Sequence, residues 1–210
     1  MITAVRLAHI LMKECIGTGD IVIDATAGNG HDTLFFSECV GDTGTVIAID
    51  IQEEAISSTR HVMEHHQRNN ARLIIGDHAD MNKLLKEFEG RIAGISFNLG
   101  YLPGANDHTI ITKTSSTIAA LNACLNLLHE QGCISAIAYR GHDHGLDEAH
   151  AVEQWMGALP AHDWHVISMS AINQSTTSPI LFFARRKTTQ GSMTYSPAIL
   201  NKASLFSAGT

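Results

Sequence analysis

The chain has 210 residues, of which 44% are hydrophobic and 17% are charged, and this balance is typical of a globular domain rather than a disordered or collagen-like chain. The formal net charge of −7 argues against a protein that coats duplex nucleic acid, because such proteins are basic. No apolar run approaches the roughly 20 residues of a membrane-spanning helix. The amino-terminal residues lack a signal-peptide pattern and the four cysteines form no Cys-x-x-Cys pair, so we expect a cytoplasmic protein that does not bind membranes.

The predicted elements alternate between helices and strands along the chain. Helices are predicted over 2–16, 31–40, 52–67, 79–88, 113–129 and 145–158. Strands are predicted over 20–26, 45–50, 71–76, 91–98, 132–139, 163–172 and 179–186. The early strands are apolar without strict alternation, which is typical of a sheet buried on both faces. This order predicts an α/β, Rossmann-like fold with a seven-stranded mixed sheet, helices on both faces and a final reversed strand. We expect a single domain over 1–187, followed by a polar tail over 188–210.

The strongest motif is the segment DATAGNG at 24–30, which lies between the first strand and the next helix. Its glycines, Gly28 and Gly30, allow a tight turn and a close approach of a ligand to the backbone. The second strand ends in Asp50, and the third is followed by Asp77 and His78. Because ligands bind at the carboxyl ends of the strands in such sheets, these residues predict a nucleotide-type site, with Asp50 accepting the ribose hydroxyls.

S-adenosylmethionine (SAM) suits this motif better than a dinucleotide. The dinucleotide pattern G-x-G-x-x-G would require glycine at position 33, where the chain has Thr33. Asp32, at the start of the helix, suits a cationic ligand better than a phosphate. SAM is therefore the predicted cofactor, and NAD or another nucleotide is the alternative.

A second motif, NLGYLPG at 98–104, follows the fourth strand. It resembles the Asn/Asp-Pro-Pro-Tyr/Phe motif of methyltransferases that act on amino groups, in which a polar side chain and a carbonyl accept hydrogen bonds from the target NH2. Leu99 and Gly100 replace the prolines of that motif. A simple Gly/Pro turn with a packed tyrosine is the alternative interpretation.

These motifs together resemble one family. They are DATAGNGHDT (24–33), AIDIQ (48–52), NLGYLPG (98–104), Thr112-Lys113, Tyr139-Arg140-Gly141-His142 and Ile172-Asn173-Gln174. Over about residues 2–187, the chain is similar to the small bacterial class I SAM-dependent methyltransferases first labelled putative rRNA methylases. Members of that family are assigned as tRNA 5-(aminomethyl)-2-thiouridine methyltransferases. The resemblance implies transfer of a methyl group from SAM to the primary amine of the wobble uridine in the tRNA anticodon loop.

The resemblance also implies roles for individual residues. The implied SAM contacts are Ala27, Gly28, Asn29, Gly30, Asp32, Asp50, Gln52, Asp77, His78 and Asn98. The implied substrate contacts are Leu99, Gly100, Tyr101, Lys113, Arg140, His142, Asn173 and Gln174. Asn98 would hold the target amine and Tyr101 would stack on the base. His142 is a candidate proton acceptor, which the reaction needs because a free alkylamine is mostly protonated at pH 7.

Other residue groups have simpler interpretations. His142, Asp143 and His144 form a poor zinc set, and no metal is predicted. The histidines of the helix over 52–67 (His61, His65 and His66) are more typical of a solvated face than of a metal pair. The only basic cluster, 185–187, either docks RNA or is a solvated strand end. The apolar strip on the first helix either packs in the core or forms a homodimer contact.

Three other functions stay open at this point. One is a SAM methyltransferase that acts on rRNA or on a small-molecule amine. Another is a non-catalytic module that binds SAM or a nucleotide, which the amine motif disfavours. The third is an NAD-linked oxidoreductase, which Thr33 disfavours.

Overall fold

One twisted sheet forms the centre of the protein. The structure, a computed structural model, describes residues 2–100, 111–141 and 144–187. Within these residues, seven strands pair in the order β3-β2-β1-β4-β5-β7-β6. They are β1 (Ile21–Asp24), β2 (Thr45–Asp50), β3 (Ala71–Ile75), β4 (Ile92–Leu99), β5 (Leu128–Ala138), β6 (Trp164–Met169) and β7 (Ile180–Arg186). Among these seven strands, β7 alone runs opposite to the other six. The predicted α/β, Rossmann-like sheet with its reversed final strand is confirmed.

Helices cover both faces of the sheet. They are α1 (Ala4–Lys13), α2 (His31–Val40), α3 (Glu53–His65), α4 (Met81–Leu84), α5 (Thr114–Leu127) and α6 (Gly145–Gly157). Successive strand residues point to opposite faces. Accordingly, Ile23 packs in one buried cluster with α5 and α6, whereas Val22 packs in another with α1 and α2. The core is therefore two apolar layers, one on each side of the sheet.

The predicted helix over 79–88 is wrong in detail. The chain forms a 3₁₀ turn at His78–Asp80, the short α4 and a second 3₁₀ turn at Lys86–Phe88. The Asp77 side chain accepts a hydrogen bond from the backbone N–H of Ala79, which starts the first turn. Leu85 leaves helical geometry, with φ −122° and ψ 25°, and separates α4 from the second turn. The other predicted elements are present, with ends that differ by a few residues.

Candidate active site

A cavity of about 660 Å³ opens at the carboxyl edge of the sheet, where the strand order reverses between β1 and β4. It brings together many of the residues that the motifs predicted. Those that line it are Ala27, Gly28, Asn29, Asp32, Asp50, Gln52, Asp77, His78, Asn98, Gly100 and Lys113. The cavity thus lies where doubly wound sheets bind their ligands.

The glycine loop after β1 owes its shape to two left-handed residues. Gly28 has φ +52° and Gly30 has φ +81°. A Cβ atom on Gly30 would lie 2.7 Å from the Cα of Thr59 on α3, so this position has no room for a side chain. The Thr59 hydroxyl also donates to the carbonyl of Gly28, at 3.2 Å. Gly30 is not among the lining residues, so it shapes the loop by letting it pack against α3.

Asp50 ties the glycine loop to the end of β2. Its Oδ2 accepts from the backbone N–H of Gly28 at 2.9 Å, and its Oδ1 accepts from that of Gln52 at 3.0 Å. Each carboxylate oxygen can accept a second hydrogen bond, so Asp50 retains capacity for two hydroxyl groups. The neighbouring Ile51 is 60% exposed and also lines the cavity. This apolar wall was not predicted, because a single isoleucine after a strand forms no motif.

Asp24 is a fully buried carboxyl beneath the glycine loop. It accepts a hydrogen bond from the Thr33 hydroxyl at 2.6 Å. Burial, followed by the nearby charge of Asp32, raises the pKa of Asp24 to about 7. Thr33, which breaks the dinucleotide pattern, therefore has a structural partner here.

The end of β3 supplies an acid and a histidine. The Asp77 Oδ1 accepts from the N–H of Ala79 at 2.9 Å. His78 is buried against Phe97, and its Nε2 has no hydrogen-bond partner among the described residues. Burial lowers the pKa of His78, so the ring stays neutral and can either accept or donate one hydrogen bond at Nε2. An unpartnered buried nitrogen in a cavity wall fits a polar ligand.

Asn98 lies at the end of β4 and joins the two motifs. Its backbone N–H donates to the Thr26 hydroxyl at 2.7 Å, and its Nδ2 donates to the Oδ2 of Asp32 at 2.6 Å. The other oxygen of Asp32 is 2.7 Å from the Nε2 of His9 on α1. The Asn98 Oδ1 is buried and has no partner among the described residues. His9 was not predicted, because no local pattern connects a residue of the first helix to this site.

Two further predicted residues, Leu99 and Gly100, continue this strand end. The Leu99 side chain is fully buried, and its carbonyl accepts from the N–H of Tyr139 at 3.1 Å within the sheet. The Gly100 carbonyl accepts from the N–H of Thr112 at 2.9 Å. Buried Glu148 holds this corner by accepting from the hydroxyls of Thr112 and Thr117 at 2.7 and 2.6 Å. The Leu99 carbonyl accepts one hydrogen bond in the sheet, whereas the buried Asn98 Oδ1 accepts none from the described residues.

The remaining predicted substrate contacts lie around the cavity mouth or outside the described residues. Tyr101 and His142 fall outside the residues that the structure describes. Arg140 donates from Nε to the carbonyl of Ser178 at 2.8 Å and holds the loop between β6 and β7. Asn173 and Gln174 are exposed in that loop and do not line the cavity, whereas its other end, at Thr177 and Pro179, does.

Tyr139 also lines the cavity, although the motif that contains it did not assign it a role. It is 36% exposed and follows the last residue of β5. Burial raises the pKa of its phenol, with a smaller contribution from the charge of Asp32. Tyr139 therefore presents a neutral aromatic side chain beside Asp32 and Asn98.

The basic cluster at 185–187 lies away from the cavity, and its role in docking RNA stays a prediction. Because β7 runs antiparallel to β5, its last residues lie at the amino edge of the sheet, opposite the cavity. Arg186 donates to the carbonyls of Leu125 and Leu128 and packs over the Trp164 ring. The Lys187 amine donates to the carbonyl of Ala161. These two cations secure the strand end.

In the part of the chain that the structure describes, no group of three His, Cys, Asp or Glu side chains is arranged to hold a metal ion. No helix of that part is long and apolar enough to cross a membrane.

The cavity residues fit SAM. The acceptors of Asp50 match the two ribose hydroxyls, and the glycine loop lets the backbone approach the methionine part. His78 Nε2, which has no partner within the described ranges, lies beside Asp77, where an adenine edge would need polar partners. Fold and site together define a class I SAM-dependent methyltransferase.

Comparisons with known proteins give the family. Residues 46–185 match the family model described as putative rRNA methylase, and the chain belongs to this family. Residues 2–81 also match the model of protein-L-isoaspartate(D-aspartate) O-methyltransferase. A curated relative from Arabidopsis thaliana, named tRNA (mnm(5)s(2)U34)-methyltransferase, chloroplastic, is 35% identical over 193 residues, which cover 88% of this chain and 70% of the relative.

Solved structures agree with this assignment. A putative rRNA-methylase from Clostridium thermocellum is 32% identical, with a TM-score of 0.83, and the match covers 89% of this chain and 99% of that one. A putative methyltransferase from Streptococcus mutans in complex with SAH is 31% identical, with a TM-score of 0.78 and the same coverage. The resemblance that the motifs indicated is confirmed, and these findings leave the NAD alternative without support.

Proposed function

We propose that this protein transfers a methyl group from SAM to the amine of 5-aminomethyl-2-thiouridine at the tRNA wobble position, giving 5-methylaminomethyl-2-thiouridine. The observation that carries the proposal is the buried Oδ1 of Asn98, which lies beside the cofactor cavity and has no partner in the part of the chain that the structure describes. Burying an acceptor without a partner costs about 1–3 kcal/mol of desolvation free energy, and a hydrogen bond from the bound substrate would offset this cost. The relative named for this tRNA modification supports the same substrate.

The cofactor would be held by three parts of the cavity wall. Ala27, Gly28 and Asn29 would lie along the methionine part, and Asp50 would accept the ribose hydroxyls. Gln52, Asp77 and His78 would surround the adenine, and Ile51 would supply an apolar surface. SAM supplies a methyl group on a positively charged sulfonium, which makes the methyl carbon electrophilic.

The target amine needs a free lone pair and a fixed direction of approach. The Asn98 Oδ1 would accept one N–H of the amine and so orient its lone pair. Desolvation in the cavity would lower the pKa of the amine, because burial disfavours the charged form. His142 is proposed to accept the departing proton and Tyr101 to stack on the base, as the motif implies. Tyr139 would form another wall of the base pocket.

The RNA would dock at the rim of the cavity. Lys113 is exposed there, and Arg140 holds the neighbouring loop that contains Asn173 and Gln174. Anticodon loops are recognised through splayed, stacked bases more than through many phosphate contacts, so two cations are enough for a protein of net charge −7. The cytoplasmic location and the homodimer remain predictions.

The experiment that tests the substrate compares three RNAs. Purified protein and tritium-labelled SAM are incubated with tRNA from cells lacking the final wobble methylation, with an unmodified transcript of the same tRNA, and with rRNA from the same cells. We expect label only in the cell-derived tRNA, because only that RNA carries the aminomethyl group. Label in the rRNA alone would favour an rRNA methyltransferase. Label in no RNA, with SAM binding intact, would contradict an RNA substrate and favour a small-molecule amine or a pure binding role.

A further inference from the structure

Three polar side chains from distant parts of the chain form a continuous array at the target side of the cavity. His9 lies on α1, Asp32 in the first turn of α2 and Asn98 at the end of β4. The His9 Nε2 is 2.7 Å from the Asp32 Oδ1, and the Asn98 Nδ2 is 2.6 Å from the Asp32 Oδ2. Asp32 is only 10% exposed at its side chain, so both contacts are shielded from water. We call these three residues the His9 array.

The array determines which end of the Asn98 amide is free. A carboxylate oxygen accepts hydrogen bonds, so the amide group facing Asp32 must be the Nδ2 donor. The amide oxygen is consequently the group left for a ligand. If the amide were reversed, two oxygens would face each other across 2.6 Å, which is strongly unfavourable. Asp32 therefore makes Asn98 an acceptor toward the substrate.

His9 fixes Asp32 in turn. The His9 ring stacks on Phe35, with centroids 3.7 Å apart and an angle of 4° between planes, and it meets Phe36 edge-on. This packing sets the plane of the imidazole and directs Nε2 at the carboxylate. An apolar ring of similar size could provide the same packing. Packing against Phe35 and Phe36 therefore does not require a nitrogen at this position, whereas the contact with Asp32 requires the Nε2 of His9.

We propose that His9 is a positioning residue for methyl transfer: by holding Asp32 it orients the Asn98 amide, which Asp32 polarises and whose Oδ1 then holds the attacking amine. This inference rests on the proposed function. In the step, the amine lone pair forms the new N–C bond while the C–S bond breaks and its electron pair stays on sulfur. Positive charge moves to the nitrogen, which then releases a proton to solvent or to a nearby base. An amide whose N–H groups donate to a carboxylate carries more negative charge on its oxygen, and this charge stabilises the developing cation.

Two variants separate positioning from packing. His9→Phe keeps an aromatic ring against Phe35 but removes the donor to Asp32, whereas His9→Gln keeps an N–H donor but loses the ring. We expect His9→Phe to lower kcat on aminomethyl tRNA about tenfold, with KM for tRNA and the Kd for SAM changed less than twofold. We expect His9→Gln to keep kcat within threefold of the original protein. Equal losses of kcat in both variants, an unchanged kcat in His9→Phe, or a loss confined to SAM affinity would each overturn the proposal.

A measurement on the ligand-free protein keeps the inference separate from the proposed substrate. The side-chain amide resonance of Asn98 is assigned in a ¹H–¹⁵N spectrum by its disappearance in Asn98→Asp. We expect its hydrogen exchange to be at least fivefold faster in His9→Phe and within twofold of the original protein in His9→Gln. Unchanged exchange in His9→Phe would overturn the positioning role even if tRNA methylation is confirmed. The expected exchange pattern together with no methylation of aminomethyl tRNA would instead contradict the proposed function and keep the array.

Discussion

The two sides of the cavity are built by different kinds of contact. On the cofactor side, the acids at the strand ends accept from backbone N–H groups a few residues away or on the adjacent loop, as Asp50 does with Gly28 and Gln52. On the target side, side chains far apart in sequence hold each other, as Asn98, Asp32 and His9 do. Hydrogen bonds to the backbone are specified by short local motifs, so the cofactor side can be recognised in the sequence. Side-chain arrays depend on the assembled fold and can be altered one residue at a time.

The largest expected effect is a loss of folding stability when the glycine loop on the cofactor side is altered. Gly30→Ala should lower the free energy of unfolding by about 3 kcal/mol, because a left-handed alanine is strained and its Cβ would meet Thr59 at 2.7 Å. Gly90→Ala is the matched control, since Gly90 is also left-handed, at φ +68°, but has open space around it. Urea unfolding of both variants separates strain from clash. Equal losses would show that α3 does not confine the glycine loop.

Loss of the Asp50 carboxylate should remove most of the SAM affinity. Asp50→Ala deletes the acceptors that hold Gly28 and Gln52 and that would bind the ribose, so we expect the Kd for SAM to rise about 100-fold, or about 2.7 kcal/mol. Asp42→Ala removes a carboxylate that is 93% exposed and should leave the Kd within twofold. Calorimetric titration decides between these outcomes, and a change below threefold at Asp50 would contradict its assignment.

The buried acid under the loop should make stability depend on pH. The pKa of Asp24 is about 7 in the folded protein and 3.8 in the unfolded reference, so the folded state binds this proton more tightly. The stabilisation is complete below the unfolded pKa and is lost as the pH rises through the folded pKa. Asp24→Asn lacks this titration. Relative to the original protein, its free energy of unfolding should therefore rise by about 2 kcal/mol between pH 5 and pH 8.

The free energies of unfolding of Asp24→Asn and of the original protein are measured by denaturant titration. A difference between them that does not vary with pH would contradict this account of Asp24. A fall in the relative stability of Asp24→Asn toward pH 8 would do so as well, since it would mean that the carboxylate is the favoured form in the folded state.

The smallest expected effect is on tRNA binding at the rim of the cavity. Lys113→Ala should raise KM for tRNA about threefold to tenfold without changing kcat, and should reduce the slope of log KM against log salt by about one, as expected for one lost phosphate contact. Arg185→Ala removes an exposed cation at the opposite edge of the sheet and should change neither quantity. If Arg185→Ala had the larger effect, the RNA would dock elsewhere.

The same contrast explains what the sequence could predict. The seven strands, the reversed β7 and the cavity-lining residues between Ala27 and His78 follow from periodicity and from motifs that lie within a few residues of each other. His9 could not be predicted, because its partner Asp32 is 23 residues away and is met only when α1 packs beside α2. The position of the basic cluster could not be predicted, because charge alone does not tell at which edge of the sheet a strand ends.

The central claim, methylation of the wobble amine, is tested most directly by following the transferred atoms. Bulk tRNA from cells lacking the final wobble methylation is incubated with the protein and with SAM that carries a trideuterated methyl group, then digested to nucleosides and analysed by mass spectrometry. We predict that 5-aminomethyl-2-thiouridine disappears and that its N-methyl derivative appears with the deuterated methyl group. Deuterium in any other nucleoside, with 5-aminomethyl-2-thiouridine unchanged, would contradict the account.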